Sequence, residues 1–288
     1  MDNQSALVRW GEPLPAPAKL NLDLRVLGRR DDGYHLLDTL FCLIDRFDTL
    51  RFEARDDGQI CRAGEPAAIA PNDDLCVRAA RLLQEHAAMP RGCTITLQKS
   101  IPVGGGLGGG SSDAAATLLA LNQLWQLKLD RGALQGLALR LGADVPFFIF
   151  GQTARGRGIG EILEPAQPPS PGTAFLVLVP PVAVPTKEVF RALALTRQGA
   201  GQKIPPFFRG ERHNDLEPIV CRMYPRVREH LDWLSQFGVA QLSGSGACVF
   251  AAFPDLGQAR SVHAQLPEGI QGFVAQPLVR HPLYECAA

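Results

Sequence analysis

Between Gly104 and Gly110 six of seven positions are glycine, within the run PVGGGLGGGSSDAAAT at 102–117. Glycine loses more backbone entropy on folding than any other residue, so such a run is costly unless the fold needs bare backbone there. Its flanks are well defined. TITLQKS at 94–100 alternates as a strand does, and SSDAAATLLALNQLWQL after the run is rich in helix formers. A strand, a glycine loop and a helix start form an arrangement that binds phosphate chains. Exposed N–H groups point inward, Cβ atoms are absent, and the helix N-terminus adds partial positive charge. Ser111 and Ser112 can cap that helix, or donate hydroxyls to phosphate or to a metal it holds. Asp113 falls in the first turn, where a carboxylate suits the dipole.

Several phosphate loops compete for this pattern. The P-loop needs a Lys directly after its glycines, and none follows. A G-x-G-x-x-G match exists at Gly104, Gly106 and Gly109, but a dinucleotide fold needs a strand after the helix, ending in an acidic residue. Here a second helical pattern, DRGALQGLALRLG, follows, and LKLD at 127–130 is too short to be that strand. The protein-kinase loop requires a Val after its third glycine and a later V-A-I-K strand; neither is present. A flexible linker would lack such well-formed flanks.

At 288 residues with 46% apolar content, the chain can build two modest domains or one large one. Twenty-nine basic residues balance 29 acidic ones, so there is no basic stripe, and nucleic acid is not an expected partner. The longest apolar runs, VPFFIF at 145–150 and the proline-broken AFLVLVPPVAVP at 174–185, fall short of a membrane span. The opening residues do not read as a secretory signal, and a cytoplasmic protein is expected. Seven scattered cysteines without C-x-x-C, and six histidines without zinc-ligand spacing, predict reduced thiols and no structural metal.

KLNLDLRV at 19–26 predicts a half-buried strand, with Leu20, Leu22, Leu24 and Val26 inward and Lys19, Asn21, Asp23 and Arg25 outward. GRRDDGYH at 28–35 predicts a turn, and LLDTLFCLID an extended stretch. A helix is expected over 75–88, capped from Asn72–Asp74, and another ending near Gly142. ADVPFFIFG predicts an apolar strand. The four prolines of EPAQPPSPGT at 164–173 mark a domain boundary. Beyond lie a strand (AFLVLV), a polar loop near 198–210, and a helical region over 215–236 broken near Pro225. GVAQLSGSGACVFAAF reads as strand, turn and strand; a helix capped by Asp255 and a last strand, GFVAQPLV, follow. Strands and helices mix without a strict βαβ rhythm, so the expected class is α+β with two domains, 1–165 and 166–288.

Three stretches together carry a resemblance. PVGGGLGGGSSDAA is similar to the ATP-phosphate loop of the GHMP kinases, and APAKLNLDLRVLGRRDDGYHLLDTLF and LSGSGACVFAAF resemble that family's other signatures, in its order along the chain. AKLNL, GRRDDGYH and LGADVPFF resemble most closely the branch whose acceptor is a cytidine diphosphate-linked methylerythritol. The resemblance implies an N-terminal domain like ribosomal protein S5 domain 2, a ferredoxin-like C-terminal domain, and a site in the cleft between them. It implies ATP as co-substrate with Mg²⁺, small-molecule rather than macromolecular partners, and a monomer or weak homodimer.

By itself Asp144 reads as a cap or turn residue and Lys19 as a solvated strand end. The resemblance makes them the catalytic pair, Asp144 taking the acceptor's proton and Lys19 holding it ionised while offsetting charge on the phosphoryl group. Asn21 would orient the substrate or the lysine. Tyr34 and His35, with Phe190 and Thr186, are implied at the cytidine end. ATP contacts are implied for Lys99, Pro102, Val103, Gly104, Gly105, Gly106, Leu107, Gly108, Gly109, Gly110, Ser111 and Ser112. The turn Ser243–Gly246 would let backbone approach phosphate or substrate. One departure stands at PNDDLCVRAARLL. Asp74 precedes Leu75 where the family usually has Asn, and the nearest Asn is Asn72, which leaves the adenine-side contacts open.

Overall fold

A computed structural model describes residues 8–63, 73–196 and 213–287. Its first sheet is built on a long hairpin, β1 (Leu14–Arg29) and β2 (His35–Arg55), joined by the Asp- and Gly-rich turn. After β3 (Ile60–Ala63) come α1 (Leu75–Ala87), β4 (Gly92–Gln98), α2 (Gly109–Leu124), α3 (Arg131–Leu139) and α4 (Val145–Phe150). β5 (Ala154–Gly158) and β6 (Ile162–Pro165) close this part. Among the described residues the sheet runs β3-β4-β2-β5-β6 with β1 paired to β2; only β3–β4 is parallel.

Beyond the proline stretch, β7 (Ala174–Val179) leads to α5 (Thr186–Thr196), α6 (Glu217–Met223), α7 (Pro225–Leu234) and β8 (Ala240–Leu242). β9 (Val249–Phe253), α8 (Leu256–His263) and β10 (Gln271–Ala275) complete a second, antiparallel sheet in the order β10-β7-β9-β8. The helical region over 215–236 does break before Pro225, where α6 ends and α7 begins. Asn72 and the loop expected near 198–210 lie outside the described residues.

Three apolar layers hold this together. Helices α1–α4 pack on one face of the first sheet, around Phe41, Phe52, Trp125, Phe147 and Phe148. In the second sheet the period of two divides side chains cleanly. Leu176, Leu178, Val249 and Ala251 face the core shared with α6–α8, while Phe175, Val177 and Phe250 face Leu20, Leu22 and Cys42 of the hairpin. Both faces of β7 are therefore covered, as its uninterrupted apolar run requires. The chain then returns, and Leu283, Cys286 and Ala287 join the first core.

Three expectations need correction. VPFFIF is helix α4, not a strand; Pro146 occupies the first turn, where its missing N–H is no loss, and Gly151 ends the helix in the left-handed region at φ +76°. A six-residue apolar run has no period long enough to separate the two structures. Neither serine caps α2, which begins two residues earlier with Gly108 as its N-cap at φ +72°. The polar face of β1 is not solvated. Lys19, Asn21 and Asp23 are only 3–4% exposed, because the second unit and the glycine loop cover that side.

Candidate active site

A cleft of about 470 Å³ opens between the two units. One wall is the glycine loop, and its hydrogen bonds explain its orientation. Gly104 O accepts from Ala247 N (3.1 Å), Gly105 O from Cys248 N (3.0 Å), Leu107 O from Lys19 N (2.9 Å) and Gly108 O from Ser112 N (2.9 Å). Gly106 O accepts from Ser243 Oγ at 3.1 Å. Five consecutive carbonyls are thus tied down. In a planar trans peptide the next N–H points the opposite way, so the amides of 105–109 face away from those partners. An arrangement of this kind, continuing into the N-terminal turn of α2, is suited to cradling an anion. The need for glycine is sharpest at Gly106. At φ +75°, a Cβ there would lie 2.1 Å from Ser243 O.

Lys19, on β1, and Asp144, at the start of α4, meet at the cleft with Nζ and Oδ2 3.5 Å apart. Asp74, Asp130 and Asp255 each cap their helix with a side-chain oxygen, but Asp144 makes no such bond. Its carboxylate is left for Lys19 and the cleft, with 36% of the side chain exposed against 4% for the lysine. Burial pulls the Lys19 ammonium below its ordinary range, and the neighbouring Asp144 pulls it back. Asn21 Oδ1 accepts from Lys19 Nζ, Asn21 Nδ2 donates to Thr39 Oγ1 (2.8 Å), and that hydroxyl donates to Asp23 O (2.7 Å). This relay fixes the lysine head. Phe41 lies beneath it, its ring centroid 5.6 Å from Nζ.

Pro102, Val103, Gly104, Gly105, Gly106, Leu107, Gly108, Gly109, Gly110, Ser111, Thr186 and Phe190 also line the cleft. His35 and Phe190 bring β2 and α5 together in a stack, centroids 4.9 Å apart and planes at 27°. Thr186 Oγ1 lies 2.7 Å from Ser245 Oγ. Tyr34, at the hairpin tip, is 57% exposed and stands outside the cleft lining. Ser112 is fully buried inside α2.

Lys99 lines the cleft edge, but its ammonium sits between Asp48 and Asp113, 2.7 Å from Asp113 Oδ2. Burial pushes the Asp113 carboxyl up to about 7, against the pull of Lys99 and with Asp48 adding to it. Asp74 caps α1 by accepting from Cys76 N (2.8 Å) and Val77 N (3.2 Å), and its other oxygen meets Arg62 Nε at 3.2 Å. Sequence reading missed Asp48, Asp113 as a lysine partner, Arg62, Phe41 and Ser245. No local signal marked Asp48, since β2 carries other charged residues, among them Asp38, Asp45, Arg46, Arg51 and Glu53.

A glycine loop at a helix start and a lysine–aspartate pair thus share one cleft. The GHMP kinases N terminal domain matches residues 74–152 and the GHMP kinases C terminal domain residues 196–271. A 4-diphosphocytidyl-2-C-methyl-D-erythritol kinase of Thiobacillus denitrificans is 57% identical over 95% of this chain and 98% of its own. One from Pseudomonas aeruginosa is 51% identical over 91% and 93%. Among solved structures, a 4-(cytidine 5'-diphospho)-2C-methyl-D-erythritol kinase superposes with a TM-score of 0.78 at 36% identity, covering 92% of this chain and 99% of the other. The Methanococcus jannaschii mevalonate kinase shares the fold at 15% identity and a TM-score of 0.69, over 93% and 98%. The chain belongs to the GHMP kinase family, in its 4-diphosphocytidyl-2-C-methyl-D-erythritol kinase branch.

Proposed function

We propose that this enzyme transfers the γ-phosphoryl group of ATP to the 2-hydroxyl of 4-diphosphocytidyl-2-C-methyl-D-erythritol, in non-mevalonate isoprenoid synthesis. The observation that carries the reading is the Lys19–Asp144 pair, 3.5 Å apart, in the same cleft as the glycine cradle. The hydroxyl oxygen attacks the γ-phosphorus, the bond to the β–γ bridging oxygen breaks, and the acceptor proton passes to the Asp144 carboxylate. Lys19, held by Asn21 and 3.5 Å from Asp144, offsets charge developing on the phosphoryl oxygens. The amides of the cradle hold the β- and γ-phosphates. The His35–Phe190 stack supports a binding role at the cytidine end, where flat apolar faces pack on a base and the imidazole reaches its edge.

Mg²⁺ belongs to the same reading. Among the described residues no group of three His, Cys, Asp or Glu side chains could hold a metal ion. Ser111 and Asp144 are oxygen donors lining the cleft, which suits an ion carried mainly by phosphate oxygens and water. When bound it neutralises charge between the phosphates. Among the described residues no helix is long and apolar enough to cross a membrane.

The test is ADP release with Mg-ATP and the cytidylyl substrate, beside mevalonate, homoserine and galactose, with CMP and CDP as competitors. Turnover of the cytidylyl compound alone, inhibited by CDP, is the expected result. Turnover of another acceptor overturns the assignment of His35 and Phe190.

A further inference from the structure

Asp48 has no part in the roles assigned so far, yet it is fully buried directly behind the glycine loop. Three donors on consecutive residues converge on it. Oδ1 accepts from the N–H of Ser100 and from that of Ile101 at 2.8 Å, and Oδ2 accepts from Lys99 Nζ. These residues join β4 to the glycine loop. The far end of the loop comes to the same place. A methyl group on Gly109 would sit 3.1 Å from Lys99 Nζ and 3.3 Å from Asp48 Oδ2, and Lys99 reaches on to Asp113 in the second turn of α2.

We propose that Asp48 is a positioning residue for the nucleotide phosphates, clasping both ends of the glycine loop through Lys99. The inference rests on reading that loop as the phosphate cradle. Residues 99–101 lead into the loop and residues 109–113 lead out, and one carboxylate–lysine–carboxylate chain ties them. With its ends fixed, the carbonyls of Gly104, Gly105 and Gly106 reach their partners on 243–248 and that of Leu107 reaches Lys19. Lys99 is then spent on the clasp, its charge met by two buried carboxylates, and it does not serve as an adenine contact. Removing Lys99 leaves two carboxylates buried without a counter-charge, and neutralising Asp48 leaves Lys99 paired with Asp113 alone, so in either case the remaining side chains must move.

The test compares wild type with Asp48→Asn, Lys99→Gln and the double variant, reading KM for ATP, kcat, and inhibition by tripolyphosphate and by adenosine. The expected result is a rise of tenfold or more in both KM for ATP and the tripolyphosphate inhibition constant, with adenosine inhibition changed less than twofold. The double variant should lose little more than the worse single one, since both break one clasp. Lys99, partly exposed, is the variant that decides if Asp48→Asn does not fold. Weaker ATP with unchanged tripolyphosphate inhibition would give the pair to the base and overturn the clasp, as would unchanged KM for ATP. Wild-type enzyme that neither uses ATP nor is inhibited by tripolyphosphate would overturn the cradle itself.

Discussion

Asp144 is tied to its helix by geometry alone. It occupies the N-cap position of α4 but gives no side-chain oxygen to the helix, so its carboxylate adds nothing to the cap. Asp144→Asn is therefore expected to keep the helix and the fold while lowering kcat by about 10²–10⁴, the usual worth of a general base. Retention of more than about a tenth of the rate would remove it from that role. Gly136 makes the opposite case. It lies exposed in the interior of α3, and a Cβ there would meet nothing within 4 Å. Gly136→Ala should stabilise the protein by about 0.5–1 kcal/mol in chemical denaturation with kinetics unchanged.

At the scale of elements, the glycine loop and α2 act as one unit, because the loop's carbonyls are bound from outside while its last glycines start the helix. Gly106→Ala breaks that arrangement twice, through a left-handed φ and through a methyl 2.1 Å from Ser243 O. It should cost about 1–3 kcal/mol of stability, and KM for ATP should rise more than KM for the acceptor. A KM for ATP within twofold of wild type would show that the loop can bind phosphate in another shape. The strand, glycine loop and helix order was legible because each flank carries its own period. α4 was not, since six apolar residues fit either structure, and Pro146 and Gly151 mark a helix only once its ends are known.

At the scale of the whole molecule, the returning C-terminal segment locks onto the helices behind the site. Arg131 donates to Ile149 O (2.6 Å), Tyr284 O (2.7 Å) and Ala287 O (2.9 Å), and His281 N donates to Gly151 O at 2.7 Å. His281 is buried there, and burial, aided by Arg131, lowers its pKa to about 3. Below the unfolded value of 6.5 the unfolded chain takes up a proton that the folded one refuses. Stability is then complete above pH 6.5 and is lost as the pH falls from 6.5 toward 3. Between pH 7 and pH 5 the wild type should lose about 2 kcal/mol more than His281→Asn in denaturant titrations. Equal losses would mean that the segment opens to accept the proton.

The sequence by itself determined the order of strand, glycine loop and helix, the α+β class and the caps of α1 and α8, because these depend on neighbours within a few residues, where backbone freedom, period and capping chemistry act. Resemblance along the chain pointed to the catalytic pair before any geometry was known. Only the tertiary structure decided that the polar face of β1 is buried, that Lys19 meets Asp144, and that Asp48 and Asp113 bracket Lys99. Those partners are 125, 51 and 14 residues apart. The reason is physical. Alternation reports that one face of a strand differs from the other, but not whether the polar face meets water or a second layer of protein, and charge partners this distant come together only when the sheets have packed.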